Sequence, residues 1–275
     1  ALGVIKSKNS VFESCCFVFF FCERESLMIS SRILSEKFLK KRLRGLRKTP
    51  IHPQWLVFVN GQMTVAGILQ QLSGRVLDIG CGDRWVESKL NPQCQYLGLD
   101  YPSTVALGYQ GRPHLFADGQ SLPLKDACMD AIVMLDVIEH IPQPAKAVAE
   151  ATRVLKPGGT LIIQVPFLYP LHDEPYDFQR WTEHGLNELM RAHGLECQRI
   201  DHHGTPIETA TALGAIALTK AVLDALRNKR LSVLFAPLLI SAIPLLNMAG
   251  WLLARLMPSS RFMPLSYIIV AKKPQ

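Results

Sequence analysis

The stretch VLDIGCGDRW, residues 76–85, decides the fold of this chain. An apolar strand runs into Asp78, Gly80 and Gly82, which is the pattern of a buried strand that ends in a glycine turn. Glycines at such a point let the backbone turn tightly and let a ligand approach it closely. Trp85 stands where a dinucleotide-binding loop would carry its third glycine, so the stretch does not favour a pyrophosphate cradle.

Strands and helices alternate downstream of this turn. Apolar runs predict strands at 75–79, 95–100, 114–118, 131–136, 160–167, 195–201 and 266–273, the fifth preceded by a KPGG turn at 156–159. Helical periodicity predicts helices at 62–72, 144–155 and 182–193. Strands that alternate with helices indicate a mostly parallel sheet covered by helices on both faces.

Two further acids lie at the ends of predicted strands, as Asp78 lies near the end of the first. Asp100 ends the second strand, and Asp118, followed by Gly119, ends the third. Each acid alone could cap a helix. Three acids at the carboxyl ends of neighbouring parallel strands favour a ligand site instead, because open α/β sheets bind ligands at that edge, and an acid after the second strand can accept hydrogen bonds from ribose hydroxyls.

Four motifs between residues 74 and 196 resemble a known family: LDIGCG, LGLD, FADGQSLPLKDACMDAIVMLDVIEHI and EATRVLKPGGTLIIQVP. Together they resemble class I S-adenosylmethionine-dependent methyltransferases of the type 11 methyltransferase domain family. The resemblance implies a Rossmann-like seven-stranded, mostly parallel sheet with a reversed last pair. It also implies S-adenosyl-L-methionine as cofactor, with the methionine part near the glycine turn, the ribose at Asp100, and adenine near Tyr101, Asp118 and Gly119. The expected cofactor-binding residues are Asp78, Gly80, Cys81, Gly82, Asp100, Tyr101, Asp118, Gly119 and Asp136.

The segment LDVIEHI, residues 135–141, carries Asp136, Glu139 and His140 at helical spacing, so they would share one side if a helix begins there. It resembles the E-x-x-E-H element that holds a divalent metal in quinone-biosynthesis O-methyltransferases and small-RNA 2′-O-methyltransferases, with Asp136 in place of the first Glu. The alternative is that Glu139 and His140 cap and pack the junction, and we expect no metal. Asp136 and His140 are the candidate catalytic residues, because an alcohol or phenol acceptor needs a base.

A polar and aromatic loop, YPLHDEPYDFQRWT, follows the fifth predicted strand at residues 169–182. Loops at this position in the fold carry acceptor-binding groups. The predicted substrate-binding residues are His172, Asp173, Tyr176, Asp177 and Arg180. The alternative is a structural lid in which Thr182 caps the next helix.

Residues 205–264 form a hydrophobic insertion between the last two predicted strands. Its run from Leu231 to Leu256 has no charge before Arg255 and is long enough to cross a bilayer. A single crossing is excluded, because both ends of the insertion return to the same sheet, and Pro237 and Pro244 interrupt a clean span. We expect a re-entrant or in-plane helical hairpin at a membrane face, or else a helical cap over the acceptor pocket.

The net charge of +7 is confined to one segment, since residues 32–48 hold eight bases and one acid. We expect a basic amphipathic helix there that is attracted to anionic headgroups, or a solvated charged helix. Charge so localised, without interleaved aromatics, makes a nucleic-acid partner the weaker expectation. The seven scattered cysteines form no ligand pair or disulfide pattern, which favours a reducing cytoplasm.

The predicted organisation is a leader at 1–27 that is left out of the fold, a basic amphipathic segment at 28–61, a methyltransferase core at 62–204, the helical insertion at 205–264, and the final strand and tail at 265–275. The expected function is O-methylation of a lipid-linked, glycan or hydrophobic small-molecule acceptor, by a cytoplasmic protein peripheral to the inner face of the membrane. Two alternatives stay open: a soluble quinone or small-molecule methyltransferase whose insertion caps the substrate, and a non-catalytic, cofactor-binding scaffold at the membrane.

Overall fold

A computed structural model of the chain describes residues 45–59, 61–102 and 112–275, apart from the side chains of 61–63 and 227. The predicted leader and most of the predicted basic segment therefore lie outside the described residues. The chain divides into two compact units. Among the described residues, the sheet unit comprises 61–102, 112–169, 175–203 and 264–275, and the helical unit comprises 45–59, 170–174 and 204–263.

The sheet unit contains seven strands in the order β3-β2-β1-β4-β5-β7-β6. Strands β1 to β5 run parallel to one another, whereas β7 lies antiparallel between β5 and β6. This confirms the predicted Rossmann-like sheet with a reversed last pair and a helical insertion before the last strand. The strands are β1 (Arg75–Ile79), β2 (Gln95–Asp100), β3 (Leu115–Phe116), β4 (Met129–Leu135), β5 (Leu155–Pro166), β6 (Glu196–His203) and β7 (Ser266–Lys272).

Helices of the sheet unit pack on the sheet through apolar side chains. The complete helices of the described residues are α1 (Trp55–Phe58), α2 (Gly61–Leu69), α3 (Pro144–Val154), α4 (Glu183–Ala192), α5 (Pro206–Arg227) and α6 (Ala236–Leu256). Helix α3 begins with Pro144 and buries Ala147, Val148, Ala151 and Val154, which follow the helical period. The Thr182 hydroxyl accepts a hydrogen bond from the backbone N–H of Gly185 at the start of α4, as the lid alternative predicted.

Two strand predictions were wrong in their bounds. Strand β3 has only two residues instead of the predicted 114–118. Strand β5 begins at Leu155, so KPGG belongs to the strand and does not precede it. The glycines make this possible: Gly158 has a φ of +77°, and the pairing with β4 shifts from Met129 opposite Leu155 to Ala131 opposite Thr160.

The helical unit is built around α5 and α6. Helix α5 starts with a capping box, in which Thr205 accepts from the Glu208 backbone while the Glu208 side chain accepts from the Thr205 backbone. In the part of the chain that the structure describes, two helices are apolar enough, by length and composition, to cross a membrane, Pro206–Leu226 and Leu231–Leu256. Within their most apolar windows, 44% of the first is buried and only 11% of the second, so the second leaves most of its apolar surface uncovered.

Candidate functional site

The turn after β1 depends on its first glycine for two reasons. Gly80 has a φ of +73°, which side chains of L-residues rarely adopt. A Cβ atom at Gly80 would also lie 2.4 Å from Cγ2 of Val137. The backbone N–H groups of Gly80 and Cys81 both donate to the Leu99 carbonyl, at 2.8 and 3.0 Å, which ties the turn to the end of β2.

Asp100, at the end of β2, shapes the opposite side of this turn. Its buried carboxylate accepts hydrogen bonds from the Gly82 N–H at 2.9 Å and from the Tyr101 N–H at 2.8 Å. Gly82 has a φ of +47°, and a Cβ there would meet no atom within 4 Å, so open space lies beside this backbone. A carboxylate has about four acceptor positions, so Asp100 retains capacity for the hydroxyls of a ribose.

Asp78 is almost fully buried in β1 beneath the turn. The Tyr96 hydroxyl donates to its carboxylate at 2.7 Å. Burial raises the pKa of Asp78 from 3.8 to about 7, although the Tyr96 bond opposes this rise and the Asp100 charge adds to it. Burial likewise raises the pKa of the Cys81 thiol to about 12, so Cys81 packs as a neutral thiol.

Tyr96 was missed by reasoning from the sequence. It pairs with Val76 in the β1–β2 register, and Asp78 lies two residues further along the same face of β1. Tyr96 could have been predicted as a partner of Asp78 from their diagonal positions on the two strands. Those positions can be assigned only when the register between β1 and β2 is known.

Asp118 and Gly119 follow β3 at the same edge. The Asp118 carboxylate accepts from the Gln120 backbone N–H at 2.8 Å, and Gly119 is buried, where an added Cβ would lie 3.3 Å from Cγ2 of Ile79. The predicted cofactor residues therefore lie at or near the carboxyl ends of β1, β2 and β3, except Asp136, which follows β4. A buried acid, a neighbouring carboxylate with spare acceptor positions and an open glycine backbone fit an adenosyl group with a cationic amino-acid tail.

Asp136 follows β4 in an unusual conformation. Its φ is +54°, so the chain does not pass directly from strand to helix, and the predicted helical spacing of Asp136, Glu139 and His140 is wrong. Gln164 of β5 donates its side-chain amide to the Asp136 carboxylate at 2.8 Å. The carboxylate is exposed, but surrounding protein atoms displace part of its hydration and raise its pKa to about 6.

Glu139 and His140 belong to a short 3₁₀ turn, Ile138–His140. Glu139 is fully buried, and both its burial and the Asp136 charge raise its pKa well above the usual range. Nδ1 of His140 lies 2.9 Å from the Tyr176 carbonyl oxygen. Because a carbonyl only accepts, this contact requires a proton on Nδ1, which makes Nε2 the proton-accepting nitrogen of the neutral ring. Nε2 lies 3.8 Å from Oε1 of Glu139.

The predicted acceptor loop is divided between the units. Tyr176, Asp177 and Arg180 belong to the sheet unit, where Asp177 and Arg180 form a two-pronged ion pair at 2.5 and 2.6 Å. The Arg180 guanidinium also donates to the Tyr169 carbonyl, so this pair holds the loop in shape. His172 and Asp173 belong to the helical unit, where both are buried.

Comparison with known proteins indicates the kind of domain that carries this sheet edge. Residues 77–163 match the family model Methyltransf_11, described as a methyltransferase domain. A tRNA (carboxymethyluridine(34)-5-O)-methyltransferase of Arabidopsis thaliana is 37% identical over 108 residues, covering 37% of this chain and 26% of that protein. A protein of Mycolicibacterium smegmatis named a probable S-adenosylmethionine-dependent methyltransferase is 29% identical over 143 residues, covering 48% of this chain and 56% of that protein. The matched part of this chain thus spans about a quarter and about half of these relatives.

Among solved structures, a SAM dependent methyltransferase from Archaeoglobus fulgidus shares the fold with a TM-score of 0.50 at 17% identity, covering 79% of this chain and 94% of that one. The motifs, the seven-stranded topology and the family match agree. Residues 77–163 therefore form a methyltransferase domain, and the chain is similar to class I S-adenosylmethionine-dependent methyltransferases.

Proposed function

We propose that this protein transfers a methyl group from S-adenosylmethionine to an oxygen atom of a lipid-linked, glycan or hydrophobic small-molecule acceptor at a membrane surface. The observation that carries the choice of oxygen is the contact between His140 Nδ1 and the Tyr176 carbonyl. It fixes the ring so that Nε2 can accept the proton that a hydroxyl acceptor must lose. Methylation at sulfur or at an already neutral amine has less need of such a group.

The residues of the sheet edge divide the work. The cofactor, when bound, supplies a reactive methyl group, so the chain's task is alignment, exclusion of water and proton removal. Asp78, Gly80, Gly82 and Asp100 would hold the cofactor, with Asp118 and Gly119 near its base. In this proposal Nε2 of His140 takes the proton from the acceptor hydroxyl.

Asp136 is the second candidate base. With a pKa of about 6, its carboxylate is ionised at neutral pH. The activity of the Asp136→Asn variant distinguishes the two candidate bases. If Asp136 accepts the proton, this variant loses activity at every pH. If His140 accepts the proton, the variant retains activity.

The acceptor class is supported by the composition of the insertion, whose outer surface is apolar. A second candidate is RNA, because the plant relative is named for 5-O methylation of a tRNA nucleoside. A labelled-methyl assay of the full chain over separated lipid, glycan and RNA extracts distinguishes them. We expect label in the lipid or glycan fraction. Label in RNA alone would favour the second candidate, and cofactor binding without label in any fraction would favour the non-catalytic scaffold.

A further inference from the structure

Helix α6 (Ala236–Leu256) has a polar and small-residue interior face. Asn247 is fully buried, and its amide donates to the carbonyls of Pro50 at 2.7 Å and His52 at 3.0 Å. Gly250 is buried against α5, where an added Cβ would lie 2.3 Å from the Thr211 hydroxyl. The inward stripe of this helix therefore uses an amide and a close backbone approach as well as an apolar side chain, Ile243.

The outward face of α6 and of its flanking residues is more apolar than the inward one. Exposed polar side chains on α6 are limited to Ser241 and Arg255, and the Ser241 hydroxyl is satisfied by the Leu238 carbonyl at 2.9 Å. Proteins in water place the amide outside and the leucines inside, so the arrangement is inverted. The exposed large apolar side chains are Leu231, Leu234, Phe235, Leu238, Leu245, Met248, Leu252, Leu253, Leu256, Met257 and Phe262. We call this set the α6 outer face.

The charges around the α6 outer face have one sign. Lys229 and Arg230 precede it, Arg255 and Arg261 lie near its end, and the sequence contains no acid after Asp224. The Arg255 guanidinium lies 3.7 Å from the centre of the Trp251 ring, a pairing of cation and aromatic ring suited to the boundary between headgroups and hydrocarbon. A second copy of this face would bring like charges together, whereas anionic headgroups complement them.

The strands at either end of the insertion indicate that α6 would lie along a membrane surface and not cross the membrane. His203 and Ser266 are paired neighbours in the sheet, so the insertion leaves and returns at one place. A crossing by α6 would need α5 as a second crossing, but α5 exposes the Lys220–Asp224 ion pair. A helix of 21 residues that lies along the surface places about 30 Å of apolar face at the lipid boundary.

We propose that the α6 outer face docks this protein on an anionic phospholipid bilayer, with the helix lying in the plane of the interface. The α6 outer face is thus the surface that would contact the membrane in the proposed function. This docking does not depend on methyl transfer, because Leu238, Leu245 and Leu252 belong to the helical unit and not to the cofactor site.

The test is flotation of the full chain with phosphatidylcholine vesicles, with and without phosphatidylglycerol. The unchanged protein should float with the anionic vesicles and much less with the neutral ones. Leu238→Asp, Leu245→Asp and Leu252→Asp combined should weaken binding by at least roughly 10-fold. The matched control combines Gln71→Asp, Gln93→Asp and Gln198→Asp, exposed sites of the sheet unit that add the same charge.

Two readouts keep the outcomes separate. Thermal unfolding and calorimetric binding of S-adenosylmethionine should be unchanged in the leucine variant, which shows that it folds and that the cofactor site is independent. Equal flotation of the leucine variant and the control would overturn the proposal. Failure of the wild-type chain to float with anionic vesicles would also overturn it. So would sedimentation of the wild-type chain as a dimer that the leucine substitutions dissociate.

Discussion

The cofactor edge of the sheet and helix α6 differ in the kind of polar side chain that they bury and in the polarity of the surface next to it. At the sheet edge the buried groups are acids, Asp78, Asp100 and Glu139, set below a surface that a polar ligand can reach. In α6 the buried polar group is the neutral amide of Asn247, and the exposed surface is apolar. A buried acid is costly unless something satisfies its charge, whereas a buried amide with two partners is stable by itself. The first pattern therefore indicates a site for a ligand, and the second indicates a structural anchor whose outer face requires another environment.

The largest expected effect comes from removing the proposed base at the sheet edge. His140→Ala should lower kcat by roughly 10²- to 10⁴-fold, the usual contribution of general base catalysis. His140→Asn should lower it similarly, because its amide can still donate to the Tyr176 carbonyl but cannot take a proton. Both variants should bind S-adenosylmethionine with unchanged Kd by calorimetry.

The control for that comparison is His184→Ala, which removes a highly exposed imidazole of α4. Its kcat should match the wild type. Wild-type turnover by His140→Asn would show that the imidazole is not the base and would leave Asp136 as the candidate.

The next effect concerns stability and pH, through Asp78. Its folded-state pKa of about 7 lies above the 3.8 of an ordinary aspartate, so the folded protein holds the extra proton between these values. The contribution of Asp78 to the free energy of unfolding should therefore fall as the pH rises from about 4 to about 7, by at most roughly 4 kcal/mol. Asp78→Asn should remove this loss, so the variant should unfold at a higher temperature than the wild type at pH 8.

Thermal unfolding at pH 4 and pH 8, without cofactor, measures that difference. The exposed amide Gln93 provides the control, since it does not titrate and Gln93→Ala should leave the pH dependence as it is. A wild-type protein equally stable at both pH values would contradict the assignment of Asp78 as a buried, protonatable acid.

The smallest effect is expected at the amide of the helical unit. Asn247→Ala leaves the Pro50 and His52 carbonyls without their amide donor and should cost about 1–3 kcal/mol of unfolding free energy. Ser241→Ala, at an exposed position of the same helix, should change it by less than about 0.5 kcal/mol. Unlike Asp78, Asn247 cannot titrate, so chemical denaturation should give the same cost at pH 4 and pH 8. Equal stability of the two alanine variants would show that the buried amide is not an anchor.

Local pattern was enough to predict the sheet. The apolar runs that contain or precede Asp78, Asp100 and Asp118 each proved to be a parallel strand, because alternation and burial are local properties of the sequence. Tyr96 and Gln164 were out of reach, since each contacts an acid on a neighbouring strand and only the register brings them together. Gln164 did leave a signal, as a lone polar residue in the apolar run LIIQVP.

Backbone conformation explains the remaining misses. Helical spacing suggested that Asp136 shares a face with Glu139 and His140, but no pattern in the sequence announces a non-glycine residue at a φ of +54°. Hydropathy identified the apolar run of α6, yet it could not tell that Asn247 lies inside and the leucines outside. That choice depends on which carbonyls are available to the amide, and Pro50 and His52 lie almost 200 residues away in the chain.

The central claim is that the carboxyl edge of β1, β2 and β3 binds S-adenosylmethionine, and calorimetric titration of the full chain tests it most directly. We expect S-adenosylmethionine to bind saturably at one site per chain. Asp100→Ala should weaken it on the order of 100-fold, because the loss removes a charged acceptor and the two backbone bonds that shape the glycine turn. Asp126→Ala should bind as the wild type does. Absence of binding by the wild type, or equal affinity of the Asp100→Ala variant, would contradict the account.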